Sequence, residues 1–588
     1  MIKLLKVMRP KEWIMAGICA LFVLVQIYFD LRLPDYMSDL TVLIKTEGST
    51  VAEIWSVGGE MLLCALASAV FAIACGYLAA NVAAGFSYTI RENVFNKVAD
   101  FGQSQMHKFS IPSLINRTTN DITQIQMFVA MGLQIIIKAP VMAVWAIIKI
   151  VNKSWTLSAV TAGFVVFLLA LMAVVIVFIL PRVRKVQKLT DNINRIAREN
   201  LTGINVVHAY NAENYQEEKF GKANSVLMKT QLGNQRAMAL LMPSVSLAMN
   251  ALAMVIYWVG AYIVNNVPAE NVAERVETFG NIVVFGTYAT YVIMSIMMMV
   301  MVVMFLPAAQ VSAGRINEVL DAEIDLKEGT REDSPKEEEG TVEFKNVSFK
   351  YPSSGKNILE NISFKVNKGE TIAFIGATGS GKTTLLSLAA RFYDATEGEV
   401  LVDGVNVKEY SFDALYDRVG YVTQKAVLFS GDIKDNVLFG ESRGEETDEN
   451  VKRSIHIAQA DEFVDEMPEG INAPITEGGT NVSGGQKQRI SIARALARKP
   501  EILMFDDSFS ALDYKTDAAL RKALDENLKG TTCMIVAQRI GTIRHADKIV
   551  VLDEGKAVGI GTHEELMENC QVYKEIAMSQ LSEAELAQ

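Results

Sequence analysis

The chain has 588 residues, of which 50% are hydrophobic and 21% are charged, and its formal net charge is −11. This apolar content excludes a disordered or purely soluble chain, and the length allows several domains. The acidic balance gives no indication of a nucleic acid partner. The five cysteines and five histidines are too scattered to predict a disulfide framework or a metal-ligand cluster.

Long apolar runs fill the chain up to about Leu320, and after about Gly340 no run reaches membrane length. A spanning helix needs about 20 residues, since every backbone amide must be satisfied within the segment. The first run follows four basic residues, as in a signal peptide, but no small-residue cleavage site follows it, so we interpret it as a retained span. Six runs meet the length requirement: residues 13–30, 57–87, 125–151, 156–181, 238–264 and 279–306.

The Lys and Arg residues in the connections predict the orientation of the spans. The N-terminal segment holds 4, residues 88–124 hold 4 and residues 182–237 hold 10, whereas the alternate connections hold 2, 1 and 1. We therefore expect a multi-pass protein of the cell membrane with both chain ends in the cytoplasm. The two long basic connections have helical patterning, so we expect spans two to five to continue as helices that turn near residues 104–115 and 200–207. Two irregular loops are the alternative.

An acidic, polar segment at residues 321–340 follows the last apolar run. We interpret it as a solvated connector whose charge run binds no ligand. Its acidic residues include Glu328, Glu332, Asp333, Glu337, Glu338 and Glu339.

A glycine-rich loop follows a short apolar strand pattern at Thr371–Ile375. Residues 376–384 fit the pattern G-x-x-x-x-G-K-[ST] and lead into an apolar helical stretch. Backbone N–H groups of such a loop, together with the positive end of the following helix, cradle phosphates. Lys382 would bridge the terminal phosphates and Thr383 would ligate Mg²⁺. The predicted phosphate-binding residues are Gly376, Ala377, Thr378, Gly379, Ser380, Gly381, Lys382, Thr383 and Thr384.

Two later segments also have features of a phosphate site. Ile502–Asp506 is a buried-strand pattern that ends in a carboxylate, the natural place for a second Mg²⁺ contact, although a strand-terminal turn residue is the alternative. Val482–Gln486 is a glycine-rich turn that opens a helix at residues 487–497, which can form a second anion site or a plain turn.

Residues 341–580 resemble the nucleotide-binding domain of ATP-binding cassette (ABC) transporters, motif by motif and in order. Tyr351 matches the aromatic residue that stacks on adenine, Gln424 matches the Q-loop, and Ser510–Asp513 match the D-loop. The resemblance implies that ATP is bound and that Mg²⁺ is held by Thr383, Gln424 and Asp506. The signature motif implies further nucleotide-binding residues, namely Ser483, Gly484, Gly485 and Gln486, with Asp513 from the D-loop.

The apolar half resembles the membrane domain of ABC exporters of the fused, six-helix type. Residues 113–121 and 198–203 resemble its two cytoplasmic coupling regions. The implied fold is an all-α six-helix membrane domain followed by an α/β P-loop NTPase domain of ABC type. We expect a transmembrane domain at residues 1–320, a linker at 321–340, a nucleotide-binding domain at 341–580 and a tail at 581–588.

Two positions depart from the family pattern. The family usually has Glu directly after the magnesium-binding Asp, as base or water-orienting group, whereas this chain has Asp507. Lacking one methylene, its carboxylate sits about 1.5 Å short, and misplacement on the order of 1 Å can cost about 100-fold in rate. The family usually has His in the switch loop, whereas Gln538 stands here and cannot shuttle a proton. Either change alone could be drift; together they predict a site that binds ATP firmly and hydrolyses it poorly. The catalytic positions are therefore Asp507, Gln538 and Gln424.

In this family two cassettes enclose two ATP molecules, each between the phosphate loop of one chain and the signature of the other. We therefore expect a heterodimer, in which a second half-transporter subunit supplies the usual Glu and His and this chain's signature completes the partner's site. The alternatives are a homodimeric exporter with slow turnover and an ATP-gated regulator that does not pump.

Few features of the sequence indicate which compound is transported. Methionines at positions 294, 297, 298, 299, 301 and 304 suit promiscuous apolar binding, or simply fill lipid-facing and core positions. Lys138 lies mid-way through the third span and predicts either a substrate or gating role or a structural ion pair. Amphiphilic drugs, lipids or small peptides would all fit.

Overall fold

The computed structural model describes residues 1–45, 49–268, 270–352, 354–440 and 447–580. The expected tail, residues 581–588, lies outside the described residues. The described residues divide into two compact units, one within residues 1–99 and 112–321 and the other within residues 100–111 and 322–580.

The described residues of the N-terminal part of the chain form helices joined by short connections. In chain order its α-helices are α1 (Ile2–Leu5), α2 (Pro10–Lys45), α3 (Val51–Ala99), α4 (Gln103–Phe109), α5 (Ile111–Asn116), α6 (Ile122–Val151), α7 (Trp155–Thr202), α8 (Ile204–Ala209), α9 (Glu213–Asn265) and α10 (Val272–Leu320). A π-helical turn, Arg117–Asp121, joins α5 to α6. Among the described residues six helical segments are long and apolar enough to cross a membrane, which confirms the six predicted spans.

Several of these helices are far longer than a bilayer requires. With 48 residues in α7 and 53 in α9, and a rise of 1.5 Å per residue, each extends about 70 to 80 Å. The hydrocarbon core of a bilayer is only about 30 Å thick. The expected helical continuation is therefore confirmed and the alternative of irregular loops is wrong. The turns fall at the short helices α4, α5 and α8, as predicted, whereas the extension of α10 to Leu320 was not expected.

The core of the membrane unit is formed by residues of α2, α3, α6, α7, α9 and α10. Every fourth residue on one face of α2 is buried, because positions four apart share a face of a helix. This buried stripe is Cys19, Val23, Ile27 and Leu31. It packs in one apolar cluster with small residues of α3 and aromatic residues of α10, including Cys75, Ala79, Phe285 and Tyr288.

The described part of the C-terminal unit has two large sheets and a two-stranded one. Its strands are β1 (Val342–Phe349), β2 (Leu359–Val366), β3 (Thr371–Gly376), β4 (Glu397–Val402), β5 (Val405–Asn406), β6 (Val419–Val422), β7 (Gly431–Asp432), β8 (Pro474–Ile475), β9 (Ile502–Asp506), β10 (Thr532–Val536), β11 (Lys548–Asp553) and β12 (Lys556–Gly561). Its helices are α11 (Lys382–Ala389), α12 (Phe412–Arg418), α13 (Ile433–Val437), α14 (Asp448–Ile457), α15 (Asp461–Asp465), α16 (Gly484–Ala497), α17 (Tyr514–Asn527), α18 (Ile540–Ile543), α19 (His563–Asn569) and α20 (Gln571–Gln580).

The larger sheet has the order β12-β11-β3-β10-β9-β6, and only β12 runs antiparallel to its neighbour. The smaller sheet, β2-β1-β4-β5, is antiparallel, and so is the two-stranded sheet, β7-β8. Strands β3, β9 and β10 are continuous buried runs, because apolar layers cover both faces of a parallel sheet. Their carboxyl ends meet at one edge, where ligands of such sheets bind. The membrane helices and this α/β unit together confirm the predicted fold class.

The acidic segment at residues 321–340 is more ordered than a solvated connector. Seven of its nine acidic residues are exposed as expected, but its backbone is tied to the smaller sheet and its flank. The N–H groups of Gly329 and Arg331 donate to backbone carbonyls beside α12, at 3.0 and 2.9 Å. The N–H of Gly340 donates to Asp403 Oδ1 at 2.7 Å. This segment is therefore a strap on the second unit.

Candidate functional site

The phosphate loop lies between β3 and α11, at the carboxyl edge of the larger sheet. Two glycines are required there on steric grounds. A Cβ on Gly376 would lie 2.0 Å from the carbonyl oxygen of Leu552, and a Cβ on Gly381 would lie 2.6 Å from Leu359 Cδ2. The φ angle of Gly381 is +99°, in the region that favours glycine. The strand, loop and helix thus bring the loop's backbone to the N-terminus of α11, as the sequence predicted.

The polar side chains of this loop are suited to an anion. Lys382 Nζ donates to the carbonyl oxygens of Gly376 and Ala377, at 2.9 and 2.8 Å. Burial lowers the pKa of Lys382, and the nearby carboxylates of Asp506 and Asp507 oppose this effect. Ser380 Oγ is buried and has no hydrogen-bond partner within the described part of the chain. A buried hydroxyl without a partner is costly, so its presence fits a loop that closes on a phosphate.

Two oxygen ligands for a divalent cation lie side by side. Thr383 Oγ1 donates to Asp506 Oδ1 at 2.7 Å, and Tyr421 OH donates to Asp506 Oδ2 at 3.3 Å. Burial raises the pKa of Asp506, while these two hydrogen bonds and the charge of Lys382 act in the opposite direction. Hydroxyl and carboxylate oxygens are the ligands that Mg²⁺ prefers, so the residues present fit this ion. Tyr421 was missed from the sequence, where it reads as an ordinary strand residue.

Asp507 accepts two side-chain amides on one oxygen. Gln424 Nε2 lies 3.1 Å and Gln538 Nε2 lies 2.7 Å from Asp507 Oδ2. Burial raises the pKa of Asp507, and the hydrogen bonds from both glutamines oppose the shift. The backbone of Asp507 has φ +49°, a region that Asp adopts more readily than most residues. The two positions that depart from the family pattern are therefore in direct contact.

Tyr351 is held by aromatic neighbours at the edge of the same site. Its ring makes edge contacts with Phe349 and Tyr393, at centroid distances of 4.8 and 5.1 Å. Its hydroxyl lies 3.0 Å from Thr384 Oγ1. The ring therefore has a defined orientation next to the phosphate loop, which suits stacking on a base.

One open pocket of about 350 Å³ brings most of the predicted residues together. Ile358 and Val536 also line it and were not predicted; as apolar residues in strand-like surroundings they carry no chemical signal in the sequence. The predicted residues in its lining are Tyr351, Thr378, Gly379, Gly381, Lys382, Thr383, Thr384, Gln424, Asp507 and Gln538.

The signature and D-loop residues do not line this pocket in the described chain. Ser483 caps α16: its Oγ accepts from Gln486 N at 3.3 Å, and Gln486 Oε1 accepts from Ser483 N at 2.8 Å. Asp513 caps α17 in the same way, since its Oδ1 accepts from Thr516 N at 2.9 Å. The role of Ser483, Gly484, Gly485, Gln486 and Asp513 in binding nucleotide remains a prediction.

In the membrane unit, Lys138 has a counter-ion. Its Nζ lies 3.2 Å from Asp30 Oδ2, and the two side chains are only 21% and 18% exposed. Ser68 Oγ donates to the other oxygen of Asp30. This geometry favours the structural ion pair over the substrate or gating role, because both charges are satisfied between helices α2 and α6.

Some methionines of α10 line a cavity and others lie on the surface. Met301 lines a cavity of about 170 Å³ with Met127 and Met131 of α6 and two phenylalanines. Met294 and Met304 are about half exposed and do not line this cavity in the described chain. The methionine run therefore does not face a single cavity.

Known proteins resemble the chain over most of its length. Residues 17–297 match the family profile described as "ABC transporter transmembrane region", and residues 359–510 match the one described as "ABC transporter". An uncharacterized ABC transporter ATP-binding protein of Bacillus subtilis is 34% identical over 98% of this chain and 98% of its own length. An ATP-dependent lipid A-core flippase of Pseudomonas fluorescens is 30% identical over 84% of this chain and 80% of its own length.

A solved structure described as a bacterial Atm1-family ABC exporter with ATP bound shares the fold. Its TM-score is 0.79 at 23% identity, and the match covers 98% of this chain and 100% of that chain. The membrane helices, the phosphate loop and these similarities agree along almost the whole sequence. The chain therefore belongs to the ABC transporter family: it carries a transmembrane region and an ATP-binding domain in one chain and has the fold of an ABC exporter.

Proposed function

We propose that this chain is one subunit of a heterodimeric, ATP-driven exporter whose own nucleotide site binds ATP but hydrolyses it slowly. The observation that carries the proposal is the convergence of Gln424 and Gln538 on one oxygen of Asp507. We further propose a transmembrane domain at residues 1–320, a linker at 321–340 and a nucleotide-binding domain at 341–580. We also propose that the N-terminus and the nucleotide-binding domain lie in the cytoplasm, which the Lys and Arg counts of the connections support.

Binding of MgATP follows from the loop. Its N–H groups, Lys382 and the unpartnered Ser380 hydroxyl would receive the phosphates, and Tyr351 would stack on the base. Thr383 and Asp506, with Gln424, would hold Mg²⁺. When bound, this ion neutralises charge on the transferred phosphoryl group.

Slow hydrolysis follows from what surrounds Asp507. A general base must approach the attacking water within about 2.6–3.2 Å, and the Asp side chain is about 1.5 Å shorter than the usual Glu. Its Oδ2 already accepts two amide hydrogens, so a lone pair directed at water is less available. Gln538 donates to this carboxylate and cannot carry a proton to or from the terminal phosphate, as His could. Both departures therefore weaken the same chemical step.

A homodimer of this chain would contain two such weak sites. A partner with Glu and His at the two positions would supply one competent site, and this chain would complete it through Ser483, Gly484 and Gly485. Closure of the two nucleotide-binding domains on ATP would then turn the spans from inward-facing to outward-facing, and hydrolysis at the competent site would reset them.

For the cargo we propose amphiphilic compounds, either drug-like, lipid or peptide. The support is the apolar cavity beside Met301 and the printed name of the Pseudomonas relative, a lipid A-core flippase. Flexible thioether side chains adapt to ligands of different shape.

The test is to purify the tagged chain from its native cells and to sequence any second half-transporter that copurifies in equal amount. We expect a partner with Glu and His at the two positions, and ATPase activity that is lost when the partner's Glu is replaced by Gln. ATP-driven uptake of a fluorescent amphiphile into inside-out vesicles then tests transport. Brisk ATPase of the chain alone would favour a homodimer, and ATP binding without uptake of any amphiphile would favour a regulator.

A further inference from the structure

The last described residue of α20 contacts the switch loop at two points. Gln580 Nε2 donates to the carbonyl oxygen of Gln538 at 2.8 Å, and Gln580 Oε1 accepts from the N–H of Ile540 at 2.9 Å. A single side-chain amide therefore bridges the backbone on both sides of Arg539.

Helix α20 is fixed firmly enough for this amide to act as an anchor. Tyr573 and Ala577 are fully buried, in the same apolar cluster as Ile540 and Ile543 of α18. The Tyr573 hydroxyl also lies 2.7 Å from His563 Nδ1. Because positions three apart lie on one face of a helix, the packing of Ala577 places Gln580 on the side of α20 that meets the switch loop.

The helix that follows the switch loop, α18, has a contact of its own. Arg521 of α17 donates from Nη1 to the carbonyl oxygen of Gly541 at 2.9 Å. Gln580 of α20 thus contacts the switch loop and the start of α18, whereas Arg521 of α17 contacts α18 alone. Only the Gln580 contacts include the backbone of Gln538, the residue whose side chain reaches Asp507.

We infer that Gln580 is a positioning residue: it fixes the backbone of the switch loop so that the side chain of Gln538 sits at the terminal-phosphate end of the nucleotide site. The path has three steps, from Gln580 to the Gln538 backbone, from that backbone to the Gln538 amide, and from the amide to Asp507 Oδ2 at 2.7 Å. The inference rests on the proposed function in one respect, namely that Gln538 acts where the terminal phosphate binds. The contact made by the end of α20 then affects how strongly the site prefers ATP over ADP.

The experiment measures the affinity of the full-length chain for a non-hydrolysable MgATP analogue and for MgADP, with fluorescent nucleotides. In Gln580→Ala we expect the affinity for the ATP analogue to fall about fivefold while the affinity for MgADP changes less than about twofold, as loss of two hydrogen bonds that act through the loop would produce. Gln580→Glu keeps the acceptor for Ile540 N–H but loses the donor to Gln538, so an intermediate loss is expected.

Gln571→Ala is the matched control. Gln571 lies on the same helix, and its amide donates to Glu575 at 2.8 Å, remote from the switch loop in sequence. We expect no change in either affinity. An equal loss for both nucleotides in Gln580→Ala, or no loss for either, would overturn the inference, since a merely structural role does not distinguish the phosphates. Fast hydrolysis by the chain alone would count against the proposed function but would leave this affinity ratio unaffected.

Discussion

Gln538 donates a hydrogen bond from Nε2 to Asp507 Oδ2 over 2.7 Å. The two residues are 31 positions apart, at the carboxyl ends of the neighbouring strands β10 and β9. They are also the two positions at which the chain departs from the usual ABC pattern. The two departures therefore act together: the Gln538 amide is hydrogen-bonded to the Asp507 carboxylate, which would otherwise face the attacking water.

The double substitution Asp507→Glu with Gln538→His is expected to raise ATP hydrolysis at this site. The longer side chain recovers about 1.5 Å of reach, and the imidazole no longer holds the carboxylate as a permanent amide donor. We expect an increase of about 100-fold in kcat with little change in KM, since misplacement on the order of 1 Å costs about that much. Phosphate release by the purified full-length chain measures it.

The matched control for this pair is Asp525→Glu with Gln571→His, which makes the same chemical changes at exposed positions. It is expected to leave hydrolysis unchanged. An unaltered rate in the Asp507 and Gln538 variant would show that the defect lies elsewhere in the site.

The substitution Gly376→Ala is expected to abolish nucleotide binding. The new Cβ would lie 2.0 Å from the carbonyl oxygen of Leu552 and 2.9 Å from Ser380 Oγ, so the loop has to move. We expect the affinity for MgATP to fall at least about 100-fold, because the loop's N–H groups lose their arrangement. Gly355→Ala, at a loop glycine with nothing within 4 Å of the new methyl, is the control. Wild-type affinity in Gly376→Ala would contradict the assignment of the loop.

The substitution Lys138→Met is expected to destabilise the membrane unit, because Asp30 loses its counter-ion. Removing one partner leaves the charge of Asp30 unpaired in a largely buried position, which costs about 3–5 kcal/mol. The double variant Lys138→Met with Asp30→Leu should recover most of this loss. Thermal unfolding in detergent measures both, with Lys222→Met in an exposed pair as control. A gating role would instead give a stable single variant with altered transport.

The cluster of Glu501, Asp403 and Arg418 makes stability depend on pH. Burial, together with the neighbouring charge of Asp403, raises the pKa of Glu501 to about 7. Arg418 binds Asp403 at 3.1 Å and partly opposes the shift. The pKa of Glu501 is higher in the folded protein than in the unfolded chain, so the folded protein binds this proton more tightly. The contribution of Glu501 to the free energy of unfolding is therefore fully present below about pH 4.5 and is lost as the pH rises through about 7.

The substitution Glu501→Gln should remove this dependence. At pH 8 we expect the variant to unfold about 4 °C above the wild type, and at pH 5 the difference should nearly vanish. Glu526→Gln, at an exposed position, serves as control. Equal unfolding midpoints at pH 8 would contradict the raised pKa.

The local parts of the site could be predicted from the sequence because each depends on residues close in the chain. The loop at 376–384 follows its strand and precedes its helix directly, so its pattern carries its geometry. The six spans are equally local, since hydrophobic length alone decides whether a helix can cross a bilayer.

Contacts between distant segments could not be predicted in this way. Gln424, Asp507 and Gln538 meet because β6, β9 and β10 are neighbours in one sheet, although Gln424 lies 83 positions from Asp507 in the chain. The sequence alone allowed two interpretations of Lys138, because its partner Asp30 is 108 positions away in the chain. Gln580 gave no signal at all, since a glutamine near the end of a helix has no distinctive pattern.

The identity of the nucleotide that stays on the purified full-length chain tests the central claim most directly. The chain, reconstituted without any partner, is incubated with MgATP labelled in the terminal phosphate, freed of excess nucleotide and analysed for bound ATP and ADP. The account predicts that intact ATP remains bound for many minutes, with phosphate release about 100-fold slower than in the variant with Glu and His restored. Bound ADP and rapid phosphate release from the unaltered chain would contradict it.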